Sequence, residues 1–193
     1  MKTSFLFLAT GFEEIEALTV VDVLRRAGMD IKTVAIGDDL KVTGAHGIAV
    51  TADVLLADAR VNADAEWLIL PGGMPGSVNL SECGPLSEML VRHHRNGGRI
   101  AAICAAPAVV LAPLGVLDGR EATCYPGFED KCEKAVMRDD CPVVAFDTLI
   151  TANGPASALK FALAIVACSM GEHTAGDVGS GMLYYPAGEN FYF

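Results

Sequence analysis

Apolar residues along this chain follow two patterns, short continuous runs and longer segments with helical spacing. Short runs bounded by Gly, Pro or charged residues are typical of strands buried on both faces of a parallel sheet. They predict strands over residues 4–9, 30–36, 66–70 and 100–103. Helical spacing predicts helices over residues 13–27, 83–95, 156–170 and 175–185. Strands and helices therefore alternate along most of the sequence.

Further segments predict smaller β elements: a β excursion over residues 41–50, a short strand over 121–124, and a hairpin formed by 143–146 and 149–152. The alternation indicates an α/β fold, with a mostly parallel sheet covered by helices on both faces. The 193 residues are enough for one sizeable core, so we expect a single domain over residues 1–193. In such sheets, sites lie at the carboxyl ends of the strands.

Cys104 lies where the predicted strand at 100–103 passes into an Ala-rich segment that we expect to be helical. Pro107 suits the first turn of this helix, and Pro113 limits its other end. A side chain at this junction meets free backbone N–H groups and the positive end of the helix dipole, which favour the reactive thiolate. Two interpretations of Cys104 follow, a nucleophile or a buried structural cysteine.

Glu16 is an acidic residue on the same face of the first predicted helix as Val20 and Val23. Burial would raise the pKa of its carboxyl group, whereas the helix N-terminus would lower it. A protonated carboxyl could donate a hydrogen bond to a thiolate, and an ionised one could act as a general base. The alternative is an ordinary first-turn glutamate, which is our interpretation of Glu13 and Glu14.

The Pro71-Gly72-Gly73 sequence follows the predicted strand at 66–70. Glycines let the backbone approach a neighbouring group closely, so these N–H groups could form an oxyanion hole with the N–H of Ala105. The alternative is a tight turn without a catalytic role. The Gly-x-Gly-x-x-Gly spacing of a nucleotide-binding loop is absent.

Composition excludes several classes of partner. The net charge of −10 and the pI near 4.7 argue against nucleic acid or an anionic membrane. No apolar run is long enough to cross a bilayer, and the N-terminus does not resemble a signal peptide, so we expect a cytoplasmic protein. The six cysteines are expected to be free thiols, and the spacing of cysteines and histidines predicts no metal site. We expect no cofactor.

These segments, taken together, resemble the DJ-1/ThiJ/PfpI superfamily, in particular its DJ-1 and bacterial ThiJ-like branch. The resemblance covers nearly the whole chain in order and is carried by residues 11–16, 21–28, 70–73, 101–107, 154–155 and 161–166. It implies a flavodoxin-like three-layer sandwich of the class I glutamine amidotransferase type, usually as a homodimer. It also implies that Cys104 is an oxidation-sensitive nucleophile, hydrogen-bonded to Glu16 and supplied with backbone N–H groups by Gly73 and Ala105.

The chain departs from related sequences where they carry histidines. Tyr125 occupies the position at which many members have a histidine, and Ala105 the position at which the PfpI peptidase branch has one. The histidines of this chain lie in segments that we expect on the surface, far from the three strand ends: His46, His93, His94 and His173. Without a histidine base, a cysteine peptidase or hydrolase is the weakest interpretation.

The leading functional interpretation, implied by the resemblance, is a glutathione-independent glyoxalase or protein deglycase. Its substrate would be a small reactive dicarbonyl or a glycated protein, with Cys104 as nucleophile and Glu16 as proton carrier. The alternative is a redox sensor or stress chaperone in which Cys104 is oxidised to a sulfinate. Whether Tyr125 replaces the missing histidine stays open.

Overall fold

The computed structural model of the chain describes residues 2–58, 61 and 64–184. The strands are β1 (Ser4–Leu8), β2 (Ile31–Ala35), β3 (Lys41–Thr43), β4 (Ala49–Thr51), β5 (Val54–Leu55), β6 (Trp67–Leu70), β7 (Arg99–Ile103), β8 (Glu121–Ala122), β9 (Val136–Met137), β10 (Val143–Phe146) and β11 (Leu149–Ala152). The helices are α1 (Glu14–Arg26), α2 (Gly76–Ser81), α3 (Gly84–Arg95), α4 (Ala158–Met170) and α5 (Glu172–Gly181). Short 3-10 helices cover Glu129–Lys131 and Pro155–Ser157.

The central sheet of the described chain has seven strands in the order β10-β11-β7-β6-β1-β2-β5. All pairs are parallel except β10 and β11, which form the predicted antiparallel hairpin. The predicted β excursion is the antiparallel pair β3–β4, outside the sheet. The predicted α/β architecture is confirmed.

Side chains of β1 point alternately into two cores, as the pleat of a strand requires. Leu6 and Leu8 face a core completed mainly by α1 and α4, whereas Phe5 and Phe7 face one completed by α2 and α3. All four side chains are almost fully buried, which explains why β1 has a continuous apolar sequence instead of an alternating one. The sheet is therefore the middle layer of three.

The segment after Cys104 differs from the prediction. Instead of a regular helix from Pro107 to Pro113, a five-residue π-helix covers Pro107–Leu111, and irregular turns follow it. The N–H of Ala112 donates to the carbonyl of Pro107 at 2.9 Å, which is the i to i+5 bond of a π-turn. Pro113 has no N–H to continue the helix.

Sequence patterns also missed α2, β5 and β9, which are too short to show a periodicity. The last helix begins at Glu172, three residues earlier than predicted, and the predicted end at 185 lies outside the described residues. Among the described helices, none combines the length and the hydropathy needed to cross a membrane.

Adjacent strands β1, β6 and β7 end at the same edge of the sheet. The chain leaves β1 toward α1, leaves β6 at Pro71, and leaves β7 at Cys104. This edge therefore brings together the three segments in which the sequence placed candidate residues.

Candidate active site

Cys104 sits on a sharp turn directly after β7. Its φ of 65° lies in the left-handed region, which a residue with a side chain occupies at a cost of about 1–3 kcal/mol. Its backbone is held on both sides: the N–H donates to the carbonyl of Ala152 at 2.8 Å, and the carbonyl accepts from the N–H of Tyr125 at 2.8 Å. Neighbouring strands and loops thus hold a strained conformation that presents the thiol at the sheet edge.

Glu16 reaches Cys104 from the first turn of α1 and is fully buried. Its Oε2 accepts a 2.7 Å hydrogen bond from the N–H of Gly72, and its own N–H donates to the Glu13 side chain at 2.8 Å. Its carboxyl group also interacts with the Cys104 thiol, and its Oε1 is buried with no other hydrogen-bond partner among the described residues. The interpretation of Glu16 as a solvated first-turn acid is therefore wrong.

Glu13 and Glu14 are also buried, so our interpretation of them as ordinary first-turn acids is wrong too. Glu13 is the N-cap of α1, because its side chain accepts the N–H of Glu16 three residues later. Glu14 accepts the N–H of His46 at 2.8 Å and thereby fastens the β3–β4 turn to the start of α1. Glutamate is not among the residues favoured at N-caps, so no sequence signal pointed to this cap.

Gly72 and Gly73 form the wall next to the thiol. A Cβ at Gly72 would lie 2.5 Å from Cys104 Cβ and 2.7 Å from Glu16 Oε2, so only glycine fits between these side chains. Gly73 has a φ of 90°, and its N–H, like that of Ala105, hydrogen-bonds to the Cys104 sulfur. The structure thus brings Gly73 and Ala105 together at Cys104, and adds Gly72 as the residue that holds Glu16.

Burial changes the acidity of both reactive groups. It raises the pKa of Glu16 from 4.5 to about 7, against the hydrogen bond from Gly72. Burial, followed by the negative charge of Glu16, raises the pKa of Cys104 to about 12, although the N–H groups of Gly73 and Ala105 oppose this. The expectation that the environment at this junction favours the Cys104 thiolate is therefore wrong, because burial raises the pKa more than the N–H groups lower it. Near neutral pH the pair consists of a thiol and a carboxyl group that can exchange its own proton.

Tyr125 contacts Cys104 through its backbone N–H, while its side chain is 45% exposed. The ring lies beside Gly154 and makes an edge contact with Phe128, with ring centroids 6.3 Å apart. Tyr125 thus belongs to the loop that supports Cys104, with its ring at the protein surface.

Two expectations about the histidines are wrong. His46 is exposed, as expected, but it is not remote from the candidate segments, because its Nδ1 is 2.7 Å from Oε2 of Glu14 at the start of α1. His93 is buried, with Nε2 3.0 Å from the carbonyl oxygen of Arg99. Potential metal ligands of Glu13, Glu14 and His46 also lie within 4.8 Å of one another, a proximity that the sequence spacing did not predict. The Glu14 carboxylate already accepts two backbone N–H groups and contacts the His46 ring. We therefore interpret this cluster as an anchor for the β3–β4 turn.

A model of the DJ-1/PfpI family matches residues 2–168 of this chain. The chain belongs to the DJ-1/PfpI family. Its fold is accordingly the DJ-1 fold, of the class I glutamine amidotransferase type. Oxidised DJ-1 from Toxoplasma gondii superposes with a TM-score of 0.88 at 32% sequence identity, over 95% of this chain and 99% of that one.

Relatives of this chain differ in length. The DJ-1 homologs B and A of Arabidopsis thaliana are both 34% identical to it, over 93% and 100% of this chain. The chain spans only 41% and 49% of those two proteins. A Caenorhabditis elegans relative, named glutathione-independent glyoxalase DJR-1.2, is 38% identical over 80% of this chain and 81% of its own length.

Proposed function

We propose that this protein converts a small reactive dicarbonyl, such as methylglyoxal, to a hydroxy acid without glutathione. The observation that carries the proposal is the buried Glu16 carboxyl next to Cys104, with its pKa raised to about 7. A general acid–base works best when its pKa is close to the operating pH. The glyoxalase name of the C. elegans relative supports the same chemistry.

In the first step, Cys104 adds to the aldehyde carbon of methylglyoxal. Ionised Glu16 takes the thiol proton as the carbon–sulfur bond forms. The thiol, whose pKa is raised, therefore does not have to ionise beforehand. The N–H groups of Gly73 and Ala105 stabilise the developing alkoxide, and Glu16 returns the proton to it. The product of this step is a hemithioacetal.

In the second step, Glu16 removes the proton from the former aldehyde carbon and delivers it to the neighbouring carbon. The hemithioacetal thereby becomes a thioester of lactate on Cys104. Water then hydrolyses the thioester, releasing lactate and restoring the thiol. The net reaction is methylglyoxal plus water to lactic acid, so atoms balance without a redox partner. Removal of methylglyoxal-derived groups from glycated proteins by the same chemistry would make the protein a deglycase.

The experiment is a glutathione-free assay of lactate formation with the parent protein and Cys104→Ser. Cys83→Ser is the control, since Cys83 lies at the start of α3 and outside the site. We expect turnover by the parent and the control, and none by Cys104→Ser. Turnover by Cys104→Ser at the parent rate would refute the proposal.

A second candidate function is redox sensing, in which Cys104 is oxidised to a sulfinate. The observation in its favour is Glu16 Oε1, a buried oxygen beside Cys104 with no hydrogen bond to any other described residue. A protonated Oε1 could donate to a sulfinate oxygen, with the Gly73 and Ala105 N–H groups as further donors. Mass spectrometry after mild peroxide treatment would show two oxygen atoms added at Cys104, and addition at the other cysteines instead would contradict this role.

We also propose that the protein is a homodimer that pairs through α1. Ile15 and Leu18, one turn apart on this helix, are 57% and 41% exposed. Ile48 is 54% exposed, and its N–H lies 3.4 Å from Oε1 of Glu14, the residue before Ile15. Exposed apolar side chains grouped in this way are typical of a protein interface.

A further inference from the structure

Cys124 and Cys132 form a second pair of buried thiols outside the acid–base site. Cys124 follows β8 and is 4% exposed, and Cys132 follows the 3-10 helix Glu129–Lys131 and is 3% exposed. Both are free thiols whose side chains interact with each other, and Cys124 Sγ also donates a 3.6 Å hydrogen bond to the carbonyl of Tyr125. Two thiols within hydrogen-bond contact are close to the separation from which a disulfide forms.

The loop between the two cysteines holds them in contact through consecutive backbone turns. The N–H of Phe128 donates to the carbonyl of Tyr125 at 3.2 Å, that of Lys131 to Phe128 at 3.0 Å, and that of Cys132 to Glu129 at 2.8 Å. Their proximity is therefore built into the local chain and requires no movement of distant elements.

The contact makes the two thiols unequal. It lowers the pKa of Cys132 and raises the pKa of Cys124. Cys132 is thus the member that ionises first and the better attacking group.

Space for a small reagent lies beside Cys132. It lines a cavity of about 420 Å³ whose wall includes Val109, Lys131 and Lys134. The chain therefore offers both a preferred attacking sulfur and a space beside it.

We propose that Cys124 and Cys132 are a redox-active dithiol that exchanges with small-molecule disulfides entering this cavity, independently of Cys104. The Cys132 thiolate attacks one sulfur of the small disulfide, forming a mixed disulfide and releasing one thiol. The Cys124 thiolate then attacks Cys132, closing the Cys124–Cys132 disulfide and releasing the second thiol. Two protein thiols are oxidised and one small disulfide is reduced to two thiols.

The exchange is tested by incubating the folded protein with glutathione disulfide or, as a smaller probe, hydroxyethyl disulfide, followed by acid quenching and non-reducing peptide mapping. The parent and Cys104→Ser should both yield a peptide pair linked through Cys124 and Cys132, at equal rates. Cys124→Ser should stop at a stable mixed disulfide on Cys132. Cys132→Ser should slow labelling of Cys124 at least tenfold, with circular dichroism verifying that each variant is folded.

Two results would overturn the proposal. One is the absence of the linked peptides with both probes while the protein stays folded, although the same cysteines link after unfolding in urea. The other is loss of the linkage in Cys104→Ser, which would show that oxidation passes through Cys104. Failure of the glyoxalase assay alone would leave the dithiol unaffected, because the exchange uses no residue of the acid–base pair.

Discussion

The acidity of Glu16 depends on where α1 begins. Glu13 caps the helix, which places Glu16 in the first turn on the buried side, facing Cys104. A solvated glutamate at this point would be ionised at neutral pH, whereas burial raises the pKa to about 7. One residue thus obtains both its position and its proton affinity from the helix start.

The first prediction concerns the pH dependence of stability. Because the pKa of Glu16 is raised from 4.5 to about 7, the folded protein retains a proton that the unfolded chain has already released in this interval. Unfolding free energy should therefore fall as pH rises through it, by about 1.4 kcal/mol per pH unit and about 3 kcal/mol in all. Below pH 4.5 both states are protonated, and above pH 7 the loss is complete.

Denaturant unfolding of the parent and Glu16→Gln at pH 4.5, 6 and 8 measures this effect. The difference in unfolding free energy between the two proteins should move by about 3 kcal/mol in favour of Gln as the pH rises. A difference that stays constant across the three pH values would show that the Glu16 pKa is not raised.

A second prediction concerns the thiol. The Glu16 carboxylate raises the pKa of Cys104, so Glu16→Gln removes this repulsion. At pH 8–9, iodoacetamide should alkylate Cys104 faster in the variant, with the thiolate fraction rising about tenfold for each unit by which the pKa falls. Peptide-resolved mass spectrometry gives the rate at each cysteine. Slower alkylation of Cys104 in the variant would mean that Glu16 promotes the thiolate in the parent.

At the scale of elements, the turn after β6 determines the spacing of the site. Gly72 lies between Cys104 and Glu16, and its backbone N–H holds the carboxyl in place. A glycine pair in a sequence is compatible with many turns, so the oxyanion interpretation depended on knowing which strands end side by side. The order β7-β6-β1 supplies that information, and a local pattern does not contain it.

The third prediction follows from this spacing. Gly72→Ala should displace Glu16 or Cys104, since the new Cβ would overlap both, and should reduce methylglyoxal turnover by at least an order of magnitude. Overpacking of this kind costs about 1–3 kcal/mol of stability. The matched control is Gly37→Ala, because a Cβ at Gly37 has nothing within 4 Å. Full activity in Gly72→Ala would contradict the tight packing of the site.

The elements themselves were predictable where an apolar run or a helical period was long enough to recognise. Strands β1, β6 and β7 and helices α1, α3 and α4 were found within one or two residues, because the strands are continuous apolar runs and the apolar positions of the helices recur over several turns. The π geometry after Cys104 was not predictable, since an alanine-rich segment between Pro107 and Pro113 favours a helix without indicating its type. The burial of Glu13 and Glu14 was not predictable either, because it depends on the β3–β4 turn, which is distant in sequence.

For the whole molecule, the fold followed from the alternation of strands and helices, and the family resemblance agreed with it. Contacts between distant segments were less accessible to sequence reasoning. His46 meets Glu14 and Cys132 meets Cys124 only because loops outside the regular pattern fold back on themselves or on α1. Short loops of this kind carry no hydrophobic periodicity.

The fourth prediction concerns assembly. If Ile15, Leu18 and Ile48 pair with the same patch on a second copy, the parent should have a dimer mass in light scattering at micromolar concentration. Leu18→Glu should give a monomer, because the two-fold contact would place the new charges against the apolar patch and near each other. The folded structure should persist, since Leu18 is already 41% exposed. A monomeric parent would contradict the proposed interface.

The most direct test of the central claim, that Glu16 carries the proton for Cys104 chemistry, is the rate of methylglyoxal turnover by Glu16→Gln. The amide preserves the size of the side chain and can accept the N–H of Gly72, but it cannot exchange a proton between two carbons. The control is Glu88→Gln, an exposed position on α3. Turnover should fall by about 10²–10⁴-fold in Glu16→Gln and remain unchanged in the control. Parent-level turnover by Glu16→Gln would show that another group moves the proton.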